Sequence, residues 1–342
     1  MKFKVARGKM KTDKVVIENT LYSLLLYWLI NGVDNTTYVL EASKIDKVII
    51  DKLKEKNNVY LFYQLFKKPK IYRFFSVYIF QKLKLYFFMK NKLNNNYLIY
   101  GNDDLIAFDI FRKFDYSILE DGLSNYIFKD EPMQTRTFIG YVKNIIRRFD
   151  KNKSFGRSDK CKKIYLTGIA PIPKVIADKV EIINLKQLWR EKSKEEQKKI
   201  LKTLNITDAI IKSFKNKKVI LLTQPISELG FVSEKEKIEI YKNCLKKHAL
   251  TDIIIKTHPR EETDYKKYFP NITIIDTPFP FELITLLEIE ISKVITLFSA
   301  VALTLNKDIE VEWLGASVHQ KLYKLYGKTL DLENIKNNGE AK

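Results

Sequence analysis

Short apolar runs alternate with longer ones at the start of the chain. Val15-Val16-Ile17 has the character of a buried strand, Leu21 to Ile30 (LYSLLLYWLI) that of a helix, and Thr36 to Leu40 (TTYVL) returns to strand. The pattern predicts a β-α-β opening. Val59 to Phe66 fits either strand or helix. Tyr97 to Tyr100 reads as a short strand, Asp104 to Phe114 as a helix, and Tyr116 to Leu119 as a strand running into Glu120-Asp121-Gly122. Lys163 to Thr167 and Val180 to Ile183 read as strands, and the charged stretch Leu185 to Leu204 as one solvated helix linking two lobes. The remainder is more regular. Strands at Val219–Leu222, Asp252–Ile255, Ile272–Ile275, Lys293–Ile295 and Ile309–Val311 alternate with helices at Glu234–Lys247, Phe281–Glu288 and Ala300–Asn306. Short apolar strands between helices predict parallel sheets covered on both faces, hence an α/β chain of two doubly wound lobes.

The length of 342 residues suits two such domains. A hydrophobic fraction of 45% supplies material for their cores and excludes a largely disordered chain. The boundaries read as an N-terminal lobe over 1–184, a linker helix region over 185–215, a C-terminal lobe over 216–330 and a polar tail over 331–342. Lys and Arg number 61 against 41 Asp and Glu, a net charge of +20. Such a surplus suits nucleic acid, an anionic membrane face or an anionic substrate, and composition does not separate them. An AT-rich genome, favouring Lys, Asn and Ile, would give the same bias.

Leu21 to Ile30 is about half of the ~20 residues a membrane span needs. No small-x-small cleavage site follows it. Cys161 and Cys244 lack any zinc-type spacing, so a reducing compartment is the simpler expectation. The chain is therefore expected to be cytoplasmic. Residues 67–92 are distinctive, carrying eight Lys or Arg and no acid, interleaved with eight Phe or Tyr. They suit an insertion lying on anionic lipid, but a helix with a Phe/Tyr core face and a solvated Lys face has the same period. Stacking on single-stranded nucleic acid uses the same residue types, yet no nucleic-acid-binding module surrounds them.

Ligands of open α/β sheets collect beyond the carboxyl ends of strands. His258, in Lys256-Thr257-His258-Pro259-Arg260-Glu261, follows one strand, with its backbone restrained by the proline and with basic neighbours. It suits protonation of, or a hydrogen bond to, a leaving phosphate. His258 and Glu261 could instead ligate a metal, but no third ligand is evident. Glu120 and Asp121 offer carboxylates at another strand end, where one could act as a general base, although an Asp-Gly turn is common on its own. Ser299, at a helix start, suits a phosphate or a plain N-cap.

Taken in order, Glu120-Asp121-Gly122, Leu222-Thr223-Gln224-Pro225, Lys256-Thr257-His258-Pro259-Arg260-Glu261, Pro278-Phe279-Pro280-Phe281-Glu282 and Ser299 resemble the bacterial sialyltransferases, and within them glycosyltransferase family 52, the lipooligosaccharide group. The resemblance spans both lobes and is dense from Val219 to Trp313. It implies a GT-B fold, two Rossmann-like lobes with a cleft between them, acceptor in the N-terminal lobe and CMP-sialic acid mainly in the C-terminal one. It implies inverting transfer to a terminal galactoside of a bacterial surface glycan (lipooligosaccharide or capsule), without a metal or any cofactor besides the donor. Asp121 would be the base and His258 the group that meets the departing CMP phosphate. Lys256, Glu282, Ser299, Thr296, Gln224 and Gly168 would bind the donor. Ala300 stands where relatives can show a second hydroxyl, and Glu228 rivals Asp121 as base.

Peripheral association with the inner face of the cytoplasmic membrane and a homodimer belong to the same picture, and nucleic acid does not. Two other readings use the same residues. One is a family member with another nucleotide sugar, such as a glucosyl donor; the other is a non-catalytic basic protein that binds lipid or nucleic acid.

Overall fold

The computed structural model describes residues 14–63, 79–90, 97–126, 154–299, 301–302, 305 and 308–327. The chain divides into two compact units, one of residues 1–168 and 172–203, the other of 169–171 and 204–342.

The first unit is built on a seven-stranded sheet of order β3-β2-β1-β4-β5-β6-β7. Its strands are β1 (Lys14–Glu18), β2 (Thr36–Glu41), β3 (Asn58–Phe62), β4 (Leu98–Gly101), β5 (Tyr116–Leu119), β6 (Cys161–Leu166) and β7 (Val180–Ile182). All pairings are parallel. Strand β2 is buried along its whole length, as cover on both faces of a sheet requires. The apolar run of the opening forms helix α1 (Leu21–Asn31), capped by Thr20, whose side chain accepts the Ser23 N–H. Residues Ser23 to Trp28 are wholly buried, which is why that helix is apolar on every side. Its polar edges are satisfied inside the core: Trp28 Nε1 donates to Tyr38 Oη (3.0 Å), and Tyr38 Oη to the Val33 carbonyl (2.6 Å). Helix α2 (Lys47–Lys54) precedes β3, and α3 (Lys82–Lys90) lies in the basic-aromatic stretch.

The second unit repeats the plan with five parallel strands in the order β10-β9-β8-β11-β12. These are β8 (Val219–Leu222), β9 (Ile253–Lys256), β10 (Thr273–Ile275), β11 (Lys293–Thr296) and β12 (Glu310–Trp313). Along the chain, α4 (Leu185–Glu191), α5 (Lys194–Thr203) and α6 (Asp208–Ser213) precede β8; later come α7 (Glu234–Leu245), α8 (Tyr265–Tyr268), α9 (Glu282–Leu286) and α10 (Gln320–Tyr326). A capping box between Ser233 and Glu236 starts α7.

Two elements differ from the sequence reading. Residues 104–114 form only a 3₁₀ segment, Ile106–Ile110, and turns. There Asp103 turns to the loop backbone, accepting from Phe155 N–H (2.6 Å) and Gly156 N–H (3.2 Å). The expected single helix over 185–204 is two, because Ser193 caps α5: its Oγ accepts the Glu196 N–H and donates to the Glu196 carboxylate. Helices α4 and α5 both belong to the first unit, and α6 to the second. Of the helix expected over 300–306 only residues 301–302 and 305 are described, the first two in a 3₁₀ turn and the last in a bend; residues 67–78 and 91–92 of the basic-aromatic stretch, and the tail over 331–342, lie outside the described residues.

Candidate functional site

Both sheets reverse their strand order beside their first strand, between β1 and β4 and between β8 and β11. Loops leaving the carboxyl ends of neighbouring strands diverge there and leave room for a ligand. Each unit carries its own group of polar side chains at these ends.

In the first unit, Gly101 closes β4 with φ +143°, and a Cβ at this position would run into the Ile17 carbonyl of β1. Only glycine permits that approach. Asn102 follows, its N–H donating to the Ile17 carbonyl (3.1 Å) and its Nδ2 to Asp121 Oδ2 (2.7 Å). Asp121 is half-buried, with its backbone N–H on Asn125 Oδ1 (2.6 Å). Burial raises its pKa, and Asp104 adds to the rise; Lys44 and the Asn102 hydrogen bond pull the other way.

Glu120 is fully buried and saturated. Oε1 accepts from Tyr22 Oη (2.7 Å), and Oε2 from Tyr126 Oη (2.7 Å) and the Thr167 N–H (2.5 Å); Thr167 Oγ1 reaches both oxygens (2.8 and 2.9 Å). This carboxylate ties β5 to β6 and α1, and all its hydrogen bonds are to the protein. Gly168, expected among the donor-binding groups, donates its N–H to Tyr126 Oη (2.9 Å) and so belongs to this same cluster.

Sequence reasoning missed Glu18 and Asn19, at the end of β1. Glu18 Oε1 and Asn19 Oδ1 are buried with no hydrogen-bond partner among the described residues. Burial, and secondarily the charge of Asp121, raise the Glu18 pKa well above the carboxylate range. The available signal was its position, a polar pair closing an apolar strand.

In the second unit, β9 ends at Lys256 and is followed by Thr257 and His258. The His258 backbone N–H donates to Glu261 Oε2 (2.8 Å) and Thr223 Oγ1 (3.2 Å), while its ring Nδ1 accepts the Arg260 N–H (3.1 Å). The neutral imidazole therefore carries its proton on Nε2. Burial, with Arg260 and Lys256 nearby, lowers its pKa to about 4. Glu261, weighed as a metal ligand, is instead spoken for. It accepts from the His258 backbone, from Thr223 Oγ1 and from Tyr265 Oη (2.6 Å), and pairs with the fully buried Lys237 (3.3 Å).

Lys237 also binds Glu228 (2.8 Å), whose oxygens further accept from the Glu262 N–H (3.0 Å), Thr263 Oγ1 (3.1 Å) and Ser227 Oγ (2.9 Å). Burial would raise the Glu228 pKa, but these partners outweigh it and hold it at about 2. A carboxylate held so firmly is a poor proton acceptor. Lys237 gave no sequence signal, since a lysine on a charged helix reads as solvated.

Lys256 is buried, its Nζ 4.2 Å from the centre of the Phe279 ring. Burial lowers its pKa to about 8, against a raising effect of Asp276. Gln224 is placed by its N–H on Tyr241 Oη (2.6 Å). Thr296, fully buried, accepts the Ser299 N–H on Oγ1 (3.0 Å), so these two shape one loop at the end of β11. Glu282 opens α9, the third element along the chain after β9. Gln224, Lys256, His258, Thr296 and Ser299 thus all lie at the carboxyl ends of β8, β9 and β11, three adjacent strands. Such a set offers a buried ammonium, an imidazole donor and hydroxyls, which suits a phosphate on which charge develops. The first unit offers a carboxylate of raised pKa, which suits deprotonation of a hydroxyl.

A model of glycosyltransferase family 52 matches residues 34–321. An uncharacterised protein of Haemophilus influenzae is 36% identical over 244 residues, covering 71% of this chain and 76% of that protein. Among solved structures, an alpha/beta-galactoside alpha-2,3-sialyltransferase of Photobacterium phosphoreum superposes with a TM-score of 0.55 at 13% identity, over 97% of this chain and 98% of that one. A 2,6-sialyltransferase of Photobacterium sp. JT-ISH-224, in complex with CMP and lactose, gives 0.60 at 12% identity, over 95% and 77%. The GT-B domain of the Photobacterium damselae sialyltransferase gives 0.56 at 12% identity, over 87% and 89%. These likenesses identify the fold as GT-B.

Proposed function

The chain belongs to glycosyltransferase family 52, and from that premise we propose that it transfers sialic acid from CMP-sialic acid to a terminal galactoside of a bacterial surface glycan, with inversion. Asp121 takes the proton of the acceptor hydroxyl as that oxygen attacks the anomeric carbon. The bond from that carbon to the phosphate oxygen breaks, and CMP departs with the electron pair. His258 meets the developing charge through Nε2–H, and Lys256 adds a positive charge in a site of low dielectric. Ser299 and Thr296 hold the phosphate, Glu282 the ribose and Gln224 the loop beside them. These protein groups carry the charge without a metal. The acceptor would be membrane-borne, which suits the basic surplus of the chain.

The observation that carries the reading is the His258 loop. Its imidazole is fixed in the tautomer that presents a donor, beside a buried lysine, on a backbone clamped by Glu261 and Thr223. A phosphate leaving group needs that combination, and a merely structural histidine does not. Supplying the purified protein with CMP-sialic acid and lactose, and following CMP release with sialyl-lactose formation, tests it. Release of a nucleoside diphosphate from a glucosyl donor, with no CMP from CMP-sialic acid, would transfer the assignment to another nucleotide sugar.

A further inference from the structure

Helix α3 has two apolar faces. Leu85 and Met89 are fully buried, and Phe88 packs on Tyr60 with ring centres 5.3 Å apart. Gln81 fastens the start of the segment, its amide accepting the Tyr63 N–H (2.7 Å) and donating to the Tyr63 carbonyl (2.8 Å), while Lys82 pairs with Asp109 (3.4 Å). The core face is thus occupied and the helix held in one orientation. Away from that face stand Leu83, Tyr86 and Phe87 of α3 and Phe80 of the π-turn that leads into it, which are 49, 42, 63 and 60% exposed. The exposed Lys84 and Lys90 flank them.

Four large exposed apolar side chains within eight residues, with the Tyr86 and Phe87 rings 5.7 Å apart, form a cluster unlike singly scattered surface hydrophobics. We infer that this face docks the protein on an anionic lipid bilayer, with Phe80, Leu83 and Phe87 at the depth of the headgroups and acyl-chain boundary and the lysines on lipid phosphate. Residues 79–90 contain no Asp or Glu, so nothing in the segment opposes an anionic surface. Phenyl rings beside lysine stems suit the bilayer interface, where an apolar body and a charged tip are both satisfied. A two-fold pairing of this face with a second copy would bring together two lysine-bearing segments without any acid to pair them, which disfavours self-association. The inference rests on the membrane-borne acceptor of the proposed function and names the surface that would reach it.

The test is co-sedimentation of the full chain with phosphatidylcholine vesicles, with and without phosphatidylglycerol. Binding is expected only with the anionic lipid, weakening as salt rises. Phe80→Ser with Phe87→Ser should weaken it by about tenfold or more, with an unchanged thermal midpoint because Leu85 and Met89 still hold the helix. The Phe87→Trp variant should show a blue-shifted emission on anionic vesicles, quenched by brominated acyl chains. Unaltered binding by the double serine variant, an emission from the Phe87→Trp variant that brominated chains leave unquenched, or loss of a dimer on gel filtration in the double serine variant would each overturn the inference. The readout is partition rather than turnover. A failed partition leaves the transferase reading intact, and a failed transfer assay leaves the docking surface intact.

Discussion

At His258 a single backbone contact decides the chemistry available. Because the Arg260 N–H occupies Nδ1, the ring can offer only Nε2–H, and with a pKa near 4 it does so as a neutral donor at physiological pH. His258→Ala and Asp121→Ala should each lower turnover by roughly 10²-fold or more, the scale of positioned acid–base groups. The pH profile of kcat/KM should show no limb near 6.5, the ordinary histidine value. It should instead rise with pH as Asp121 ionises.

The same shift has a stability signature. Below about 6.5 the unfolded chain protonates His258 while the folded chain does so only near 4. Its contribution is therefore complete above that upper value and is lost as pH falls through the lower one. Thermal midpoints across this window should fall less steeply for His258→Gln than for the wild type. The placement of His258 and Asp121 just beyond strand ends was legible in the sequence, because each sits in a short motif that follows an apolar run. Glu18 and Lys237 were not, because a buried carboxyl and a buried ammonium look like any charged residue until the fold supplies their surroundings.

At the scale of elements, Lys237 connects α7 to the loops after β8 and β9 through Glu228 and Glu261. Removing a buried cation leaves two carboxylates unpaired. Lys237→Met should cost about 3–5 kcal/mol of stability in denaturant titrations. Loss of the Glu261 clamp should also let the His258 loop loosen, which lowers kcat more than it alters KM for the acceptor. Glu120→Gln should likewise cost about 2–3 kcal/mol, since an amide cannot accept from all the donors that converge on Glu120. A stability unchanged in either variant would show that the network is dispensable.

Most strands were readable from their apolar runs, whereas 104–114 was not, because its Phe and Ile positions resemble a helix period while Asp103 and Arg112 anchor the backbone as turns: Arg112 donates to the Asp103 carbonyl. The Ser193 break between α4 and α5 carried a readable capping signal, Ser193 followed by Glu196, which the strong charge of the stretch obscured. In the described part of the basic-aromatic stretch, α3 buries Leu85 and Met89 as the core reading expects and leaves Leu83, Tyr86 and Phe87 exposed.

Across the whole molecule, two sheets share one winding rule. Each places its first strand centrally, crosses to one side for two strands, then returns to the other side. Chain order predicted the alternation of strand and helix but not the pairing, since β1 and β4 are far apart in the chain and Gly101 alone hints at their approach. Among the described residues, no helix is long and apolar enough to cross a membrane.

The central claim of the proposed function is that Asp121 and His258 both serve the transfer of sialic acid. The most direct measurement is the rate of CMP release from CMP-sialic acid with and without lactose, in the wild type, Asp121→Asn, His258→Ala and the double variant. The account predicts acceptor-stimulated release in the wild type, its loss in Asp121→Asn, a general loss in His258→Ala, and a double variant little worse than the poorer single one. Wild-type protein that releases no CMP, or single variants that retain full acceptor-stimulated release, would contradict it.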